Sequence, residues 1–421
     1  MISTHEERPM QLILLVGSNP LPNYLSACAL RPSCVALVYT EETKSAKDRL
    51  RRELARALGG DVAFEEAFVV DATCATTVRR VLDQLISKAG DREILLNYTG
   101  GTKVMSAHAR LAFWEAKGKK EYASYLDEGG KDKSGKDHQP RLRFDDNTSK
   151  ALSESSDIPL TLSTVLALHG ITHEPREPKS PAPTIDDARE ILFKVFEDES
   201  LAPKLYCERL RLEKKEPVKG KPVKAIEAPF RAGDYNLNLS LQEFPTGVQL
   251  AALKNADEKK SWFKQWYSFI GGEWLEYWVE EQLLALASEL KLDPGGDLTV
   301  GVNAKRETAT KHDPPMEIDI VVIRGYRSYF ISCTTDTTKK LCKSKLFEIA
   351  VRSRQLGGDL ARACLVCLAD DRTISALRAD VDDVWGASNT TRVFGLSDVR
   401  AWSDCDGTQP NRHSLQAWLE S

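Results

Sequence analysis

Short apolar runs alternate with amphipathic stretches over residues 11 to 145. The runs are "QLILLV", "CVALVY", "EEAFVV" and "REILLN", and between them lie segments such as "KSAKDRLRRELARAL" and "ATTVRRVLDQLISKA". Strand-like runs alternating with helix-like stretches predict a mostly parallel sheet with helices on both faces. After them, "EYASYLDE" and "RLRFD" flank a Gly/Lys/Asp loop over 129–138 and predict a closing hairpin.

The pattern then changes. Residues 174 to 184, "EPREPKSPAPT", read as a proline-rich polar connector. Between 186 and 260 lie one helix-like segment and the lysine-rich "RLEKKEPVKGKPVK". From Ser261 a tryptophan-rich helix is predicted, "SWFKQWYSFIGGEWLEYWVEEQLLALASEL". Strand-like "LTVGVNA", "EIDIVVIRG", "RSYFISCTT" and "RACLVCLA" follow, with a helix over "LCKSKLFEIAVRSRQLG" before the last. The expected organisation is therefore one α/β domain over 1–145, a connecting module over 146–260 and a second α/β domain over 261–421. No internal repeat is visible.

Composition narrows the function classes. Of 421 residues, 42% are hydrophobic and 29% charged, which suits an ordinary globular chain of two or three domains. The formal charge of -4 leaves no global attraction to nucleic acid or anionic lipid, so any polyanion site must be local. Nine irregularly spaced cysteines argue for reduced thiols and a cytoplasmic setting. Cys364 and Cys367 form a CxxC inside an apolar run, which reads as buried strand thiols rather than zinc ligands. Neither a signal peptide nor a membrane span is expected.

Two loops carry candidate chemistry in the first domain. Gly17-Ser18-Asn19-Pro20 follows "LILLV", and Thr99-Gly100-Gly101-Thr102-Lys103 follows "ILLNY" and precedes a helix. Ligands of an open parallel sheet bind where strands give way to helices. Glycines admit backbone N–H groups close to an anion, a helix N-terminus favours negative charge, and Ser18, Thr99 and Thr102 add hydroxyls. The loops match neither G-x-x-x-x-G-K-[ST] nor G-x-G-x-x-G, which disfavours generic nucleotide binding. On these residues alone, a phosphorylated ligand and a plain strand-to-helix turn both remain open.

"LLVGSNPLPNYLSA" together with "LNYTGGTKVMS" closely resembles the CARF domain, the Rossmann-like sensor of cyclic oligoadenylates in type III CRISPR defence. The resemblance covers about the first 145 residues. It implies a ligand pocket lined by Gly17, Ser18, Asn19, Thr99, Gly100, Gly101, Thr102 and Lys103, with Thr40 as a further lining residue. It also implies a twofold homodimer around a ring-shaped ligand, cyclic tetra-adenylate ahead of cyclic hexa-adenylate.

In the second domain, period-2 alternation in "MEIDIVVI" predicts Glu317 and Asp319 on one face and Met316, Ile318 and Ile320 on the other. Carboxylates gathered at a helix–strand junction suit Mg²⁺ or Mn²⁺; a solvated strand face is the plain alternative. The stretch 261–370 resembles the PD-(D/E)xK nuclease domain, a restriction-endonuclease-like α/β fold found fused to CARF sensors. The resemblance implies that Glu276 and Asp319 act as the helix and strand acids, with Glu317 as a further metal ligand. One departure matters: Ser332-Cys333-Thr334 stands where the acid-x-lysine pair belongs. A serine can replace a carboxylate as ligand, but threonine supplies no positive charge.

Two outcomes follow from that departure. Either the charge has moved to the next helix, where Lys339, Lys340, Lys343, Lys345 and Glu348 stand, or the nuclease is inactive. Lys345 and Glu348 share a helical face, so a moved pair is geometrically sound. The expected catalytic set is Glu276, Asp319, Ser332, Lys343 and Lys345, cutting DNA or RNA. The alternatives are an inactive sensor or scaffold, and a CARF domain that degrades its own ligand. His108, His169, His173 and the pair His312-Asp313 read as structural residues. Trp262, Trp266, Trp274 and Trp278, at four- and eight-residue steps, read as core or dimer packing.

Overall fold

The computed structural model describes residues 10–90, 92–117, 122–131, 137–155, 158–174, 182–213, 230–240, 256–293, 296–306, 316–385, 390–404 and 407–421. Residues 175–181 of the connector, most of the lysine-rich loop, and His312 with Asp313 lie outside them.

The first sheet uses β1 (Met10–Leu15), β2 (Cys34–Tyr39), β3 (Ala63–Phe68), β4 (Glu93–Asn97) and β5 (Ala123–Asp127). A two-residue pair, β6 (Gly130–Lys131) with β7 (Asp137–His138), leads on to β8 (Arg141–Phe144) and β9 (Ser149–Ala151). The sheet order is β3-β2-β1-β4-β5-β8-β9. The first five strands are parallel; β5–β8 and β8–β9 are antiparallel, as the hairpin pattern predicts. Helices α1 (Leu21–Leu30), α2 (Lys44–Leu58), α3 (Ala75–Ala89) and α4 (Lys103–Lys117) make the crossovers. β1 and β2 are continuous apolar runs because helices cover both their faces. Strand order reverses between β1 and β4, and that reversal opens a crevice at their carboxyl ends.

Helix α5 (Leu162–Leu168) follows, then β10 (Ile171–Glu174), α6 (Ile185–Glu197), α7 (Leu201–Glu213) and a small hairpin, β11 (Phe230–Ala232) with β12 (Tyr235–Leu237). Helices α8 (Ala256–Ser268) and α9 (Trp274–Leu290) precede β13 (Leu298–Arg306), β14 (Met316–Arg324) and β15 (Arg327–Thr334). The chain continues with α10 (Lys339–Gly357), β16 (Arg362–Cys367), α11 (Asp371–Trp385), β17 (Thr391–Phe394), α12 (Leu396–Ala401) and α13 (His413–Glu420). The second sheet has the order β10-β13-β14-β15-β16-β17, antiparallel up to β15 and parallel beyond it. The architecture is α/β, with a mostly parallel, Rossmann-like first sheet and a mixed second one.

Three features differ from the sequence expectation. The tryptophan-rich stretch is two helices, because a π turn at Phe269–Glu273 interrupts it and Gly272 adopts φ +147° there. A side chain on Gly271 would meet the Arg209 stem at 2.4 Å, so the glycine pair lets α7 pack against the break. Strict alternation in β14 also fails. Ile318 packs into the core shared with the first sheet and Ile320 into the tryptophan core, on the other face. The change of face occurs opposite Gly301, whose φ of +64° kinks β13 while the pairing register on either side stays the same. Finally, described residues of 146–260 serve both sheets: β9 extends the first, β10 edges the second, and α6 and α7 join the tryptophan core.

Trp262, Trp266, Trp274 and Trp278 are buried within this chain, as is the CxxC pair, whose Cys364 and Cys367 are free thiols. A single apolar cluster runs from Leu12 and Leu50 through Val165 to Ile318, Phe330 and Leu356, joining the two sheets. Polar ties reinforce it: Tyr24 donates to the Pro159 carbonyl at 2.7 Å, Arg49 to that of Leu168 at 2.9 Å. His169, partly buried, bonds the Val165 carbonyl through Nδ1, and desolvation holds its pKa low.

One tie is acidic. The Asp359 amide donates to Glu128 Oε2 at 3.0 Å, and burial, then the charge of Asp359, pushes the Glu128 carboxyl up to about 7. A folded-state pKa above the unfolded one means that stability falls as pH rises through the window between them, about 4.5 to 7. Glu128→Gln keeps the acceptor and removes the charge. It is expected to melt above the wild type at pH 8 and level with it near pH 5, which thermal melts at the two pH values check.

Candidate functional sites

The two glycine loops meet at the switch crevice. A Cβ on Gly17 would lie 3.2 Å from the Gly101 amide nitrogen, and one on Gly100 would lie 2.0 Å from the Leu15 carbonyl oxygen. Gly101 has φ +77°, open to glycine and strained for other residues. Asn23 donates to Leu15 O at 3.0 Å and so fastens α1 under the same junction, while its Oδ1 is buried with no partner among the described residues.

The loop side chains divide into two kinds. Thr99 Oγ1 accepts from the Leu126 amide at 2.7 Å, tying the loop to β5. Thr102 Oγ1 accepts from the Met105 amide at 3.1 Å, as an N-cap does, and donates to Ala72 O at 3.3 Å. Thr40 is buried, and its backbone amide donates to Thr43 Oγ1 at 3.0 Å. These three threonines build the walls rather than project from them. Ser18 and Lys103 are exposed at the crevice. Asn19 Oδ1 accepts from the Leu21 amide at 3.1 Å, and its Nδ2 lies 2.9 Å from where a Gly358 Cβ would be. One glycine loop therefore abuts the end of α10, in the second half of the chain.

The middle of α10 borders the second site. Glu317, Asp319, Ser332, Lys345, Glu348 and Arg352 line a cavity of about 90 Å³. Asp319 Oδ2 accepts from Cys333 N at 2.6 Å and from Ser332 Oγ at 3.0 Å. Burial raises the Asp319 pKa; those two bonds and the nearby Lys345 charge pull it down, and Glu317 pushes it up. Glu276, half-buried on α9, acts on the other flank of β15. The Cys333 thiol is raised first by burial, then by Asp319 and Glu276 together. The change of face in β14 lets Asp319 face α10 beside Ser332.

The structure gathers Glu317, Asp319, Ser332 and Lys345 around one cavity near the end of β15, leaves Glu276 outside its lining, and sends Lys343 elsewhere. Lys343 pairs with Asp380 at 3.0 Å, as does Lys339 at 3.2 Å, because a helix places residues two apart on different faces. Sequence reasoning missed Arg352, which bonds the Glu317 carbonyl and pairs with Glu348 at 2.5 Å. The spacing of Lys345, Glu348 and Arg352 on one helical face was the available signal. Among the described residues, no group of three or more His, Cys, Asp or Glu is gathered as a ready metal cage.

Comparison with solved structures places this geometry. Can2 from Sulfobacillus thermosulfidooxidans, solved in complex with cyclic tetra-adenylate, superposes with a TM-score of 0.62 at 18% identity, covering 98% of this chain and 100% of that one. The chain shares its fold with Can2 from end to end. Protein VC1899 from Vibrio cholerae has the same fold, with a TM-score of 0.63, 15% identity and 98% of each chain covered. No family model and no curated protein sequence matches. The likeness to Can2 spans both sheets, so the loop crevice and the Asp319 cavity both lie within the shared fold. No helix among the described residues is long and apolar enough to cross a membrane.

Proposed function

We propose that this chain is a type III CRISPR effector of the CARF–nuclease family, in which cyclic tetra-adenylate switches on nucleic-acid cleavage. The observation that carries the reading is the pair of interlocked glycine loops at the β1/β4 switch crevice, in a fold shared throughout with a protein solved with that ligand. Backbone amides of Gly17 to Asn19 and Gly100 to Lys103, the α4 N-terminus and Lys103 supply the donors and positive charge that a ring of phosphodiesters needs. The sensor spans 1–145 and the nuclease domain 261–421, with the stretch between built into both. A cytoplasmic homodimer completes the crevice. Leu111 and Trp114 on α4 are exposed at 38% and 42% and offer an apolar face for the twofold contact.

In the nuclease centre, the charge missing at Thr334 is supplied by Lys345. It stands over Asp319 and Ser332 and would stabilise negative charge that develops on a scissile phosphate. The carboxylates of Asp319 and Glu317, which line one cavity, would offer oxygen ligands to a hard cation, Mn²⁺ or Mg²⁺, and Glu276 would approach from the other flank of β15 as a further ligand. Such ions keep several waters and substrate oxygens, so they need no complete protein cage. When bound, the ion would offset phosphate charge and favour an attacking water. Ser332 and the Cys333 amide hold Asp319 in place for that task.

The test is cleavage of supercoiled plasmid, single-stranded DNA and single-stranded RNA with Mn²⁺, with and without cyclic tetra-adenylate. Ligand-dependent cutting is expected, and chelation should stop it. Lys345→Ala should cut at least about 10²-fold more slowly, and Lys343→Ala should cut nearly as well as wild type, since it loses only a half-exposed ion pair. Thr334 at the lysine position favours one second reading, a sensor or scaffold without chemistry. Tight ligand binding with no cutting of any substrate would establish it.

A further inference from the structure

A separate groove of about 830 Å³ lies where the end of the first sheet's chain meets the turn between β14 and β15. Its size falls within the ~300–1,000 Å³ of small-molecule sites. One wall is apolar, formed by Leu152, Ile158 and Leu160, and the floor is cationic, formed by Arg324, Arg327 and Arg362. The residues that line it belong neither to the glycine loops nor to the Asp319 cavity, and they lie at the other end of β14 from Asp319.

Two of the arginines are anchored by the fold. Arg324 donates to the Leu419 carbonyl at 2.9 Å, beside the Tyr329 hydroxyl, which donates to the same oxygen at 2.7 Å. Arg362 donates to the carbonyls of Ala361 at 3.2 Å and Asp359 at 3.3 Å. Arg327 differs. It is 6% exposed, its guanidinium faces the Tyr326 ring at 5.6 Å, and its Nε has no hydrogen-bond partner among the described residues. Asp297 and Glu420 also line the groove, but Asp297 accepts from the Asp293 amide at 2.8 Å and Glu420 from the Gln416 side chain at 3.4 Å. A buried guanidinium whose donors go unused is costly, and an anion seated in the groove would offset that cost.

We infer that this groove is a second ligand site, taking a small phosphorylated molecule whose phosphate meets Arg327 and whose remainder lies on the Leu152–Ile158–Leu160 wall. The planar fork of arginine suits a phosphate monoester held by two parallel bonds. The inference stands apart from the proposed function, because it uses none of the residues that carry that reading.

The experiment is calorimetric titration of the full-length protein, in phosphate-free low-salt buffer, with inorganic phosphate, adenosine 5′-monophosphate and adenosine. Phosphate and the nucleotide are expected to bind one per chain, and adenosine not to bind. A tighter nucleotide would identify a nucleotide site; equal affinities would identify free phosphate. Arg327→Gln should weaken binding at least about tenfold, and Arg327→Lys should weaken it less, which keeps the result readable if the glutamine variant folds poorly. Affinity should be unchanged with saturating cyclic tetra-adenylate present. If that ring instead displaces the phosphate, if the wild type binds neither phosphate nor nucleotide, or if a short single-stranded oligonucleotide displaces the nucleotide, the inference is overturned.

Discussion

Asp319→Asn is expected to abolish ligand-activated cutting, by at least about 10²-fold, while the protein stays folded. Asparagine has the same shape, and turning its amide oxygen toward Ser332 Oγ and Cys333 N preserves both bonds that Asp319 accepts. What disappears is the charge. Because burial is what raises the pKa of this carboxyl, removing the charge should leave the melting temperature level or slightly higher. The two readouts together separate chemistry from scaffolding. A folded Asp319→Asn protein that still cuts at the wild-type rate would show that cleavage, if present, is carried out elsewhere in the chain.

Gly100→Ala is expected to damage the sensor more than any other single methyl group. The added carbon would lie 2.0 Å from Leu15 O and 2.8 Å from Asn23 Oδ1, and neither can retreat: the first belongs to a central strand, the second is buried. Relief requires the Thr99–Lys103 loop to lift away from Gly17, which separates the two halves of the cradle. Overpacking of this kind costs about 1–3 kcal/mol or more, and affinity for cyclic tetra-adenylate should fall at least about tenfold as the amides lose their alignment. Gly60→Ala is the matching control, since a Cβ there meets nothing within 4 Å. Melting temperature and ligand titration on both variants check the expectation. An unaltered Gly100→Ala protein would mean that the loops do not depend on their close contact.

Much of the fold was legible because its signals are local. The parallel strands β1, β2 and β4 are buried on both faces, so each shows as an apolar run, and α2 and α3 show as amphipathic stretches around them. The glycine loops were legible for a related reason: a strand that runs directly into a glycine turn and a helix marks the carboxyl end of a parallel sheet. The second half of the chain was harder. β10 is a four-residue edge strand and β17 a four-residue strand, each too short to stand out from its surroundings. The break before α9 was hidden because Gly271-Gly272 sits inside a continuous apolar pattern, and only the packing of Arg209 and Thr335 against it makes the π turn necessary.

By itself, the sequence determined the class of fold, the two glycine loops, the acidic strand and the gap at Thr334, since each depends on neighbours within a few residues. Tertiary structure alone decided which lysine could fill the gap. Lys343 and Lys345 are equivalent in composition and two residues apart, yet the helical turn sends one to Asp380 and the other to Asp319. It decided too that the threonines of the second glycine loop brace its walls, that the β14 alternation changes face opposite Gly301, and that the Nε of buried Arg327 has no partner among the described residues. The physical reason is common to all of these. Hydrogen bonding and burial depend on partners brought together from distant parts of the chain, and a one-dimensional pattern does not contain those distances.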